Sequence, residues 1–147
     1  MSNKIKKILI IRLSAIGDTI HTLPFLNALR RNFPDAQIHW VVEDKAEFFV
    51  KQAKNVDKVY VIPKREWKKE KNIFKKLNSF CKLTDQLRRE KYDIAIDVQQ
   101  LLKSGIILGL CGAKRKISVK ITLHIKLTGK MERVCILNDT LKKQLKS

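Results

Sequence analysis

The run Ile8-Leu9-Ile10-Ile11 is short, apolar and without alternation, and it lies between Lys7 and Arg12. A strand with one wet face alternates in polarity, whereas a strand covered by helices on both faces does not, so this run reads as a parallel strand inside a sheet. Its carboxyl end is where a site is expected. Ligands of open parallel sheets bind at the carboxyl ends of the strands, and Ser14, Gly17, Asp18, His21 and Thr22 all fall just after this one.

The rest of the chain alternates strand and helix. Strands are expected at residues 6–13, 37–42, 58–62 and 92–98, and helices at 18–32, 46–54, 72–91 and 101–111. Ile20, Leu23, Leu26, Ala28 and Leu29 recur near helical spacing, as do Phe74, Leu77, Phe80, Leu83, Thr84 and Leu87, while Phe33-Pro34-Asp35 and Pro63 interrupt. Beyond Ala113 the pattern gives a strand at 116–119 and a helix at 131–145. Such alternation predicts an α/β fold, a parallel sheet flanked by helices with right-handed crossovers. At 147 residues and 44% hydrophobic content the chain suits one domain with a genuine core.

A formal charge of +18 exceeds what solubility requires and draws the molecule toward polyanions: nucleic acid, anionic lipid or phosphorylated glycans. A nucleic-acid-binding module is disfavoured, because no DNA or RNA motif accompanies the charge and 7% aromatic content is thin for a stacking platform. Cys81, Cys111 and Cys135 are odd in number and contain no C-x-x-C, which indicates neither a disulfide framework nor a zinc site and fits a reduced cytosol. The basic start Lys4-Ile5-Lys6-Lys7 imitates a signal peptide, but Arg12 ends the apolar run after four positions and no cleavage site comes after it. The apolar stretch 105–111 is too short to span a bilayer.

Four motifs together carry a family resemblance. Ser14-Ala15-Ile16-Gly17-Asp18-Thr19-Ile20-His21-Thr22-Leu23-Pro24 resembles the S-x-x-G-D-x-x-H-x-L-P signature of the lipopolysaccharide heptosyltransferases, inverting two-domain enzymes of glycosyltransferase family 9. His39-Trp40-Val41-Val42-Glu43 resembles their second strand, and Arg65-Glu66-Trp67-Lys68-Lys69 their basic R-x-W-(R/K)-K loop. Ile96-Asp97-Val98-Gln99 with Lys103-Ser104 resembles their I-D-x-Q-G-L-x-K-S. The combination is closest to the first heptosyltransferase of the pathway. It covers about residues 4–112, and residues 113–147 diverge, lacking the family's aromatic and arginine-rich acceptor segment.

The resemblance implies that 1–147 is the acceptor-side, Rossmann-like, N-terminal half of a GT-B glycosyltransferase, with the donor-side half absent. When complete, such an enzyme transfers heptose from ADP-heptose to the Kdo of the lipopolysaccharide inner core, without metal or cofactor. Its acceptor is the anionic lipid-linked sugar Kdo-lipid A, which implies a cytoplasmic protein in peripheral contact with the inner face of an anionic inner membrane. The half chain alone is expected to be inactive. The alternative is a non-catalytic remnant that binds anionic glycolipid or a partner.

Individual residues fit both functional and structural roles. By resemblance Asp18 is the catalytic base that takes the proton of the attacking hydroxyl, yet an aspartate at a helix start also serves as a cap. Gly17 offers either a positive φ or room for a ligand, and His21 a hydrogen bond from the cleft side of the helix. Residues 64–76 hold seven basic side chains against Glu66 and Glu70, with Trp67 and Phe74 interleaved, so Lys64, Arg65 and Lys68 are acceptor-binding candidates unless the run is only a solvated helix start. Gln99, Lys103 and Ser104 join Ser14, Gly17, His21 and Thr22 in the implied acceptor set. Gln100 stands where the motif has glycine, and Asp97 is read as orienting the loop backbone.

Overall fold

The computed structural model describes residues 4–119. Five parallel strands form one sheet in the order β3-β2-β1-β4-β5. The strands are β1 (Lys7–Ile11), β2 (Gln37–Glu43), β3 (Lys58–Ile62), β4 (Ile94–Asp97) and β5 (Arg115–Ser118). Between them run α1 (Ile16–Asn32), α2 (Glu47–Lys51), α3 (Lys64–Lys69), α4 (Ile73–Arg89) and α5 (Leu102–Leu110).

Period-two geometry splits each strand between two apolar layers. Ile8, Ile10, Ile38, Trp40, Ile94 and Ile96 face α1 and α2, packing on Phe25, Leu26, Leu29 and Val50. Leu9, Ile11, Val41, Tyr60 and Ala95 face the other way, onto Leu83 and Leu87 of α4 and Ile107 of α5. All four residues of the Ile8 to Ile11 run are fully buried, which is why the run needs no alternation.

Several boundaries move inward from those expected. Tyr92 and Asp93 precede β4 and serve as anchors: the Tyr92 hydroxyl meets His39 Nδ1 at 2.8 Å, and Asp93 accepts the Lys6 and Lys7 amides. Residues 65–69, read as a basic loop by resemblance, fall in the short helix α3, whose Trp67 stacks edge-on against Phe80 at 6.3 Å. α1 starts two residues before Asp18. The expected strand at 116–119 is seen as β5, one residue earlier, whereas the helix expected at 131–145 and Cys135 lie outside the described residues. No helix among the described residues is long and apolar enough to cross a membrane.

Candidate active site

The sheet order fixes where a ligand can enter. From central β1 the chain builds outward through β2 and β3, then returns to place β4 and β5 on the other side, so the connections leaving β1 and β4 diverge at their carboxyl ends. In open parallel sheets such a divergence, here at the switch point between β1 and β4, is where a ligand crevice is expected. Asp18 lies in the first turn of α1, after β1, and Gln99 just after β4.

Arg12, the first residue past β1, knits the crevice together. Its Nη2 lies 2.8 Å from Asp18 Oδ2, its Nη1 donates to Val98 O at 2.7 Å, and its carbonyl accepts the Trp40 indole N–H at 3.2 Å. The Arg12 side chain is 14% exposed and that of Asp18 56%. A largely buried cation thus holds a carboxylate whose outer side faces solvent. Arg12 Nε is buried without a partner among the described residues.

The helix-cap role for Asp18 is overturned. Ala15 is the N-cap of α1 and supplies no side-chain bond, while Asp18 lies in the first turn, where its carboxylate pairs with Arg12 and its charge suits the helix dipole. Of the two roles read for Gly17, the positive φ is corrected and the room beside it remains. It lies inside the first turn of α1 without a positive φ, and a Cβ there would meet nothing within 4 Å. Its smoothness leaves open space beside Asp18.

Across the crevice, Gln99 bridges the two loops: its Oε1 accepts the Leu13 amide at 2.7 Å, and its Nε2 donates to Ser14 Oγ at 3.3 Å. Buried Asp97 organises the turn beneath it, accepting from the Gln99 and Gln100 amides at 2.9 and 3.2 Å and from the Ser104 hydroxyl at 2.9 Å. Gln100, in the position of the motif's glycine, adopts a φ of 56°.

The other candidates divide by direction. Thr22 is buried, its hydroxyl donating to Asp18 O at 2.9 Å, and Ser104 is buried on Asp97, so both shape backbone and present no hydroxyl to the crevice. Ser14 is partly exposed, and His21, Arg65, Lys68 and Lys103 are exposed. Lys64 is committed to a partner, its Nζ lying 2.9 and 2.8 Å from the two oxygens of buried Glu43. That hydrogen bonding is the main cause of its raised pKa. Arg65 donates its amide to Asp44 Oδ2 at 2.8 Å, leaving its side chain outward. Sequence reasoning missed Arg12, which it used only to end an apolar run; a charged residue at the carboxyl end of a buried central strand was the available signal. No three His, Cys, Asp or Glu side chains gather as a metal site among the described residues.

No protein-family model matches the chain. It is 36% identical over 101 residues to lipopolysaccharide heptosyltransferase 1 of Campylobacter coli, covering 69% of this chain and 27% of that protein. It is 34% identical over 101 residues to lipopolysaccharide heptosyltransferase 1 of Pseudomonas aeruginosa, covering 67% and 28%. Among solved structures, the Escherichia coli heptosyltransferase WaaC with ADP-2-deoxy-2-fluoro heptose superposes with a TM-score of 0.67 at 26% identity, over 77% of this chain and 36% of that one. The glycosyl transferase family 9 structure from Veillonella parvula, at 20% identity and a TM-score of 0.68, shows the same fold over 83% of this chain and 38% of that one.

The parallel sheet flanked by helices is that of a GT-B glycosyltransferase domain. Over about two thirds of its residues the chain is a homologue of the lipopolysaccharide heptosyltransferases, and it spans under a third of the length of these curated relatives.

Proposed function

We propose that this chain carries the acceptor-side half of a heptosyltransferase and that Asp18 is its general base. In the complete enzyme, the acceptor hydroxyl oxygen attacks the anomeric carbon of ADP-heptose while its proton passes to Asp18. The bond from that carbon to the ADP oxygen breaks, the configuration inverts, and ADP leaves with its electron pair. The acceptor is the Kdo of lipid-linked inner core, presented at the inner face of the inner membrane.

The observation that carries this reading is the pairing of Asp18 with Arg12 at the switch point. One carboxylate oxygen is held at 2.8 Å while more than half of the side chain stays open, so the base is positioned without being sealed. In this reading Ser14, His21 and Gln99 line the acceptor site, the open side of Gly17 admits a sugar ring, and Arg65, Lys68 and Lys103 meet the acceptor's anionic groups. Lys64, Thr22 and Ser104 act through Glu43, α1 and Asp97. The relatives' solved complexes with ADP and a fluorinated ADP-heptose support an ADP-sugar donor, whose diphosphate this reading assigns to the donor-side half.

The test is a fusion of this chain to the donor-side portion of the Campylobacter coli relative, assayed for heptose transfer from ADP-heptose to Kdo-lipid A. The 147-residue chain alone is expected to give no turnover, and Asp18→Asn in an active fusion to lose roughly a hundredfold or more in rate. A fully active Asn variant overturns the base. A correctly folded fusion that binds acceptor yet transfers nothing favours the non-catalytic glycolipid-binding alternative.

A further inference from the structure

Glu43 closes β2 and Asp44 follows it, so two consecutive acids stand at the carboxyl edge of the parallel sheet, the edge that also bears Asp18. Both are committed to α3. Glu43 is buried and meets the Lys64 ammonium with its two oxygens, while Asp44 Oδ2 accepts the Arg65 amide from 21 residues away. That amide is the one hydrogen bond the Asp44 side chain makes among the described residues, since its Oδ1 is buried without a partner.

α3 needs such anchors. It is six residues long, has no buried residue and carries Lys64, Arg65, Lys68 and Lys69, so neither its length nor its charges would keep it helical in water. Its own N-cap, Pro63, offers no side-chain bond to the orphan amides of the first turn, and Asp44 supplies one across the sheet edge. Trp67 against Phe80 fixes the other side. With Lys64 and Trp67 turned to these anchors, Arg65, Lys68 and Lys69 are left exposed at helical spacing on one outward face. A floppy loop with the same cations would have to order them at each binding event, whereas here the order exists beforehand.

We infer that Glu43 and Asp44 are positioning residues for the acceptor: by holding α3 they present Arg65 and Lys68 as a fixed pair of cations to its anionic groups, and so set acceptor affinity without touching the acceptor. This role deepens the one proposed for Arg65 and Lys68 and rests on it. It is separate from the chemistry at Asp18.

The test is calorimetric titration of the full chain with deacylated, water-soluble Kdo-lipid A, together with amide hydrogen exchange across residues 64–69. Asp44→Ala is expected to speed exchange in α3, to leave the amides of α1 unchanged and to weaken binding roughly tenfold, because two long cationic side chains must then be ordered on binding. Asp44→Asn keeps an oxygen for the Arg65 amide and should bring both readouts back to within about twofold of the parent. Glu43→Gln, which leaves Lys64 an uncharged partner, should weaken binding roughly fivefold, and it decides the matter if the alanine variant does not fold. Unchanged affinity in Asp44→Ala despite faster exchange overturns the inference and leaves the two acids as anchors of the fold alone. Unchanged exchange, or an asparagine variant as weak as the alanine one, overturns it as well. A parent chain that binds no deacylated Kdo-lipid A removes the acceptor role of α3 and the positioning role with it. A parent that binds, with variants that bind alike, leaves the acceptor role standing and removes only the positioning.

Discussion

Arg12 grips Asp18 and the backbone of the neighbouring loop with one guanidinium: Nη2 lies 2.8 Å from Asp18 Oδ2 and Nη1 lies 2.7 Å from Val98 O. The end of β1, the first turn of α1 and the exit of β4 are therefore held by a single planar fork. A lysine could supply the charge but not both bonds in that geometry. The placement of Asp18 is a property of the sheet edge and not of the helix end.

Stability measurements separate these two origins without any activity assay. A capping aspartate would lose about 0.5 to 2 kcal/mol on mutation to alanine and almost nothing on mutation to asparagine. Since Asp18 is more than half exposed and pairs with Arg12, both Asp18→Ala and Asp18→Asn are expected to unfold within about 1 kcal/mol of the parent and of each other. Urea titrations check this, and an alanine variant that alone falls by more restores the cap.

Lys64 is a candidate whose structural commitment precedes any ligand. Its ammonium reaches both oxygens of Glu43, which is 4% exposed, so Lys64→Gln strands a buried carboxylate. The expected loss is about 2 to 3 kcal/mol, below the range for a fully buried pair because Lys64 is itself 32% exposed. Glu43→Gln combined with Lys64→Gln should recover at least half of it. Denaturation of the single and double variants measures the coupling; additive losses would show that the two side chains do not depend on each other.

Strand positions were legible because burial on both faces removes the polar residues that would blur them, as in Ile8 to Ile11 and Ile94 to Asp97. Helices α1 and α4 were legible from apolar spacing. α3 was not, because six residues with four cations have no periodic apolar face, and only Trp67 reaches the core. The crevice residues Ser14, Asp18 and Gln99 were found through their place after strands. Their connections were not, since the bond that matters for Asp18 comes from Arg12 and the one for Ser104 from Asp97. Side-chain direction decides such matters, and Thr22, one turn after Asp18, is buried with its hydroxyl donated to the Asp18 carbonyl.

Gln100 tests what a side chain costs in this turn. Its φ of 56° lies in the left-handed region, which costs a residue with a Cβ about 1 to 2 kcal/mol and glycine nearly nothing. Gln100→Gly removes that cost but enlarges the freedom of the unfolded chain. The net expectation is a gain of about 0.5 to 1 kcal/mol, read as a higher urea midpoint. A loss would mean that the Gln100 side chain makes a stabilising contact larger than the backbone relief.

At the amino end of the sheet, acid acts on Glu90, which accepts from Lys58 Nζ, Lys7 Nζ and Tyr60 Oη, each at 2.7 Å. These bonds, Lys58 first, push its pKa from an ordinary 4.5 down to about 2. A depressed folded pKa adds stability that is complete above the unfolded value and is lost as pH falls through the folded one, so this contribution fades between about pH 5 and 2. Burial lowers the pKa of His39 from 6.5, which works in the same direction but begins earlier, as pH falls below 6.5 and the unfolded histidine takes up a proton. Acid should therefore destabilise the fold in two successive stages. Glu90→Gln is expected to cost about 1 to 3 kcal/mol at pH 7, to flatten the stability profile below pH 5 and, because the Glu90 charge props up the buried His39, to deepen the His39 stage. Urea midpoints measured from pH 8 to pH 2 on both proteins decide it, and a Gln variant with an unchanged acid limb would show that Glu90 is not the group responsible.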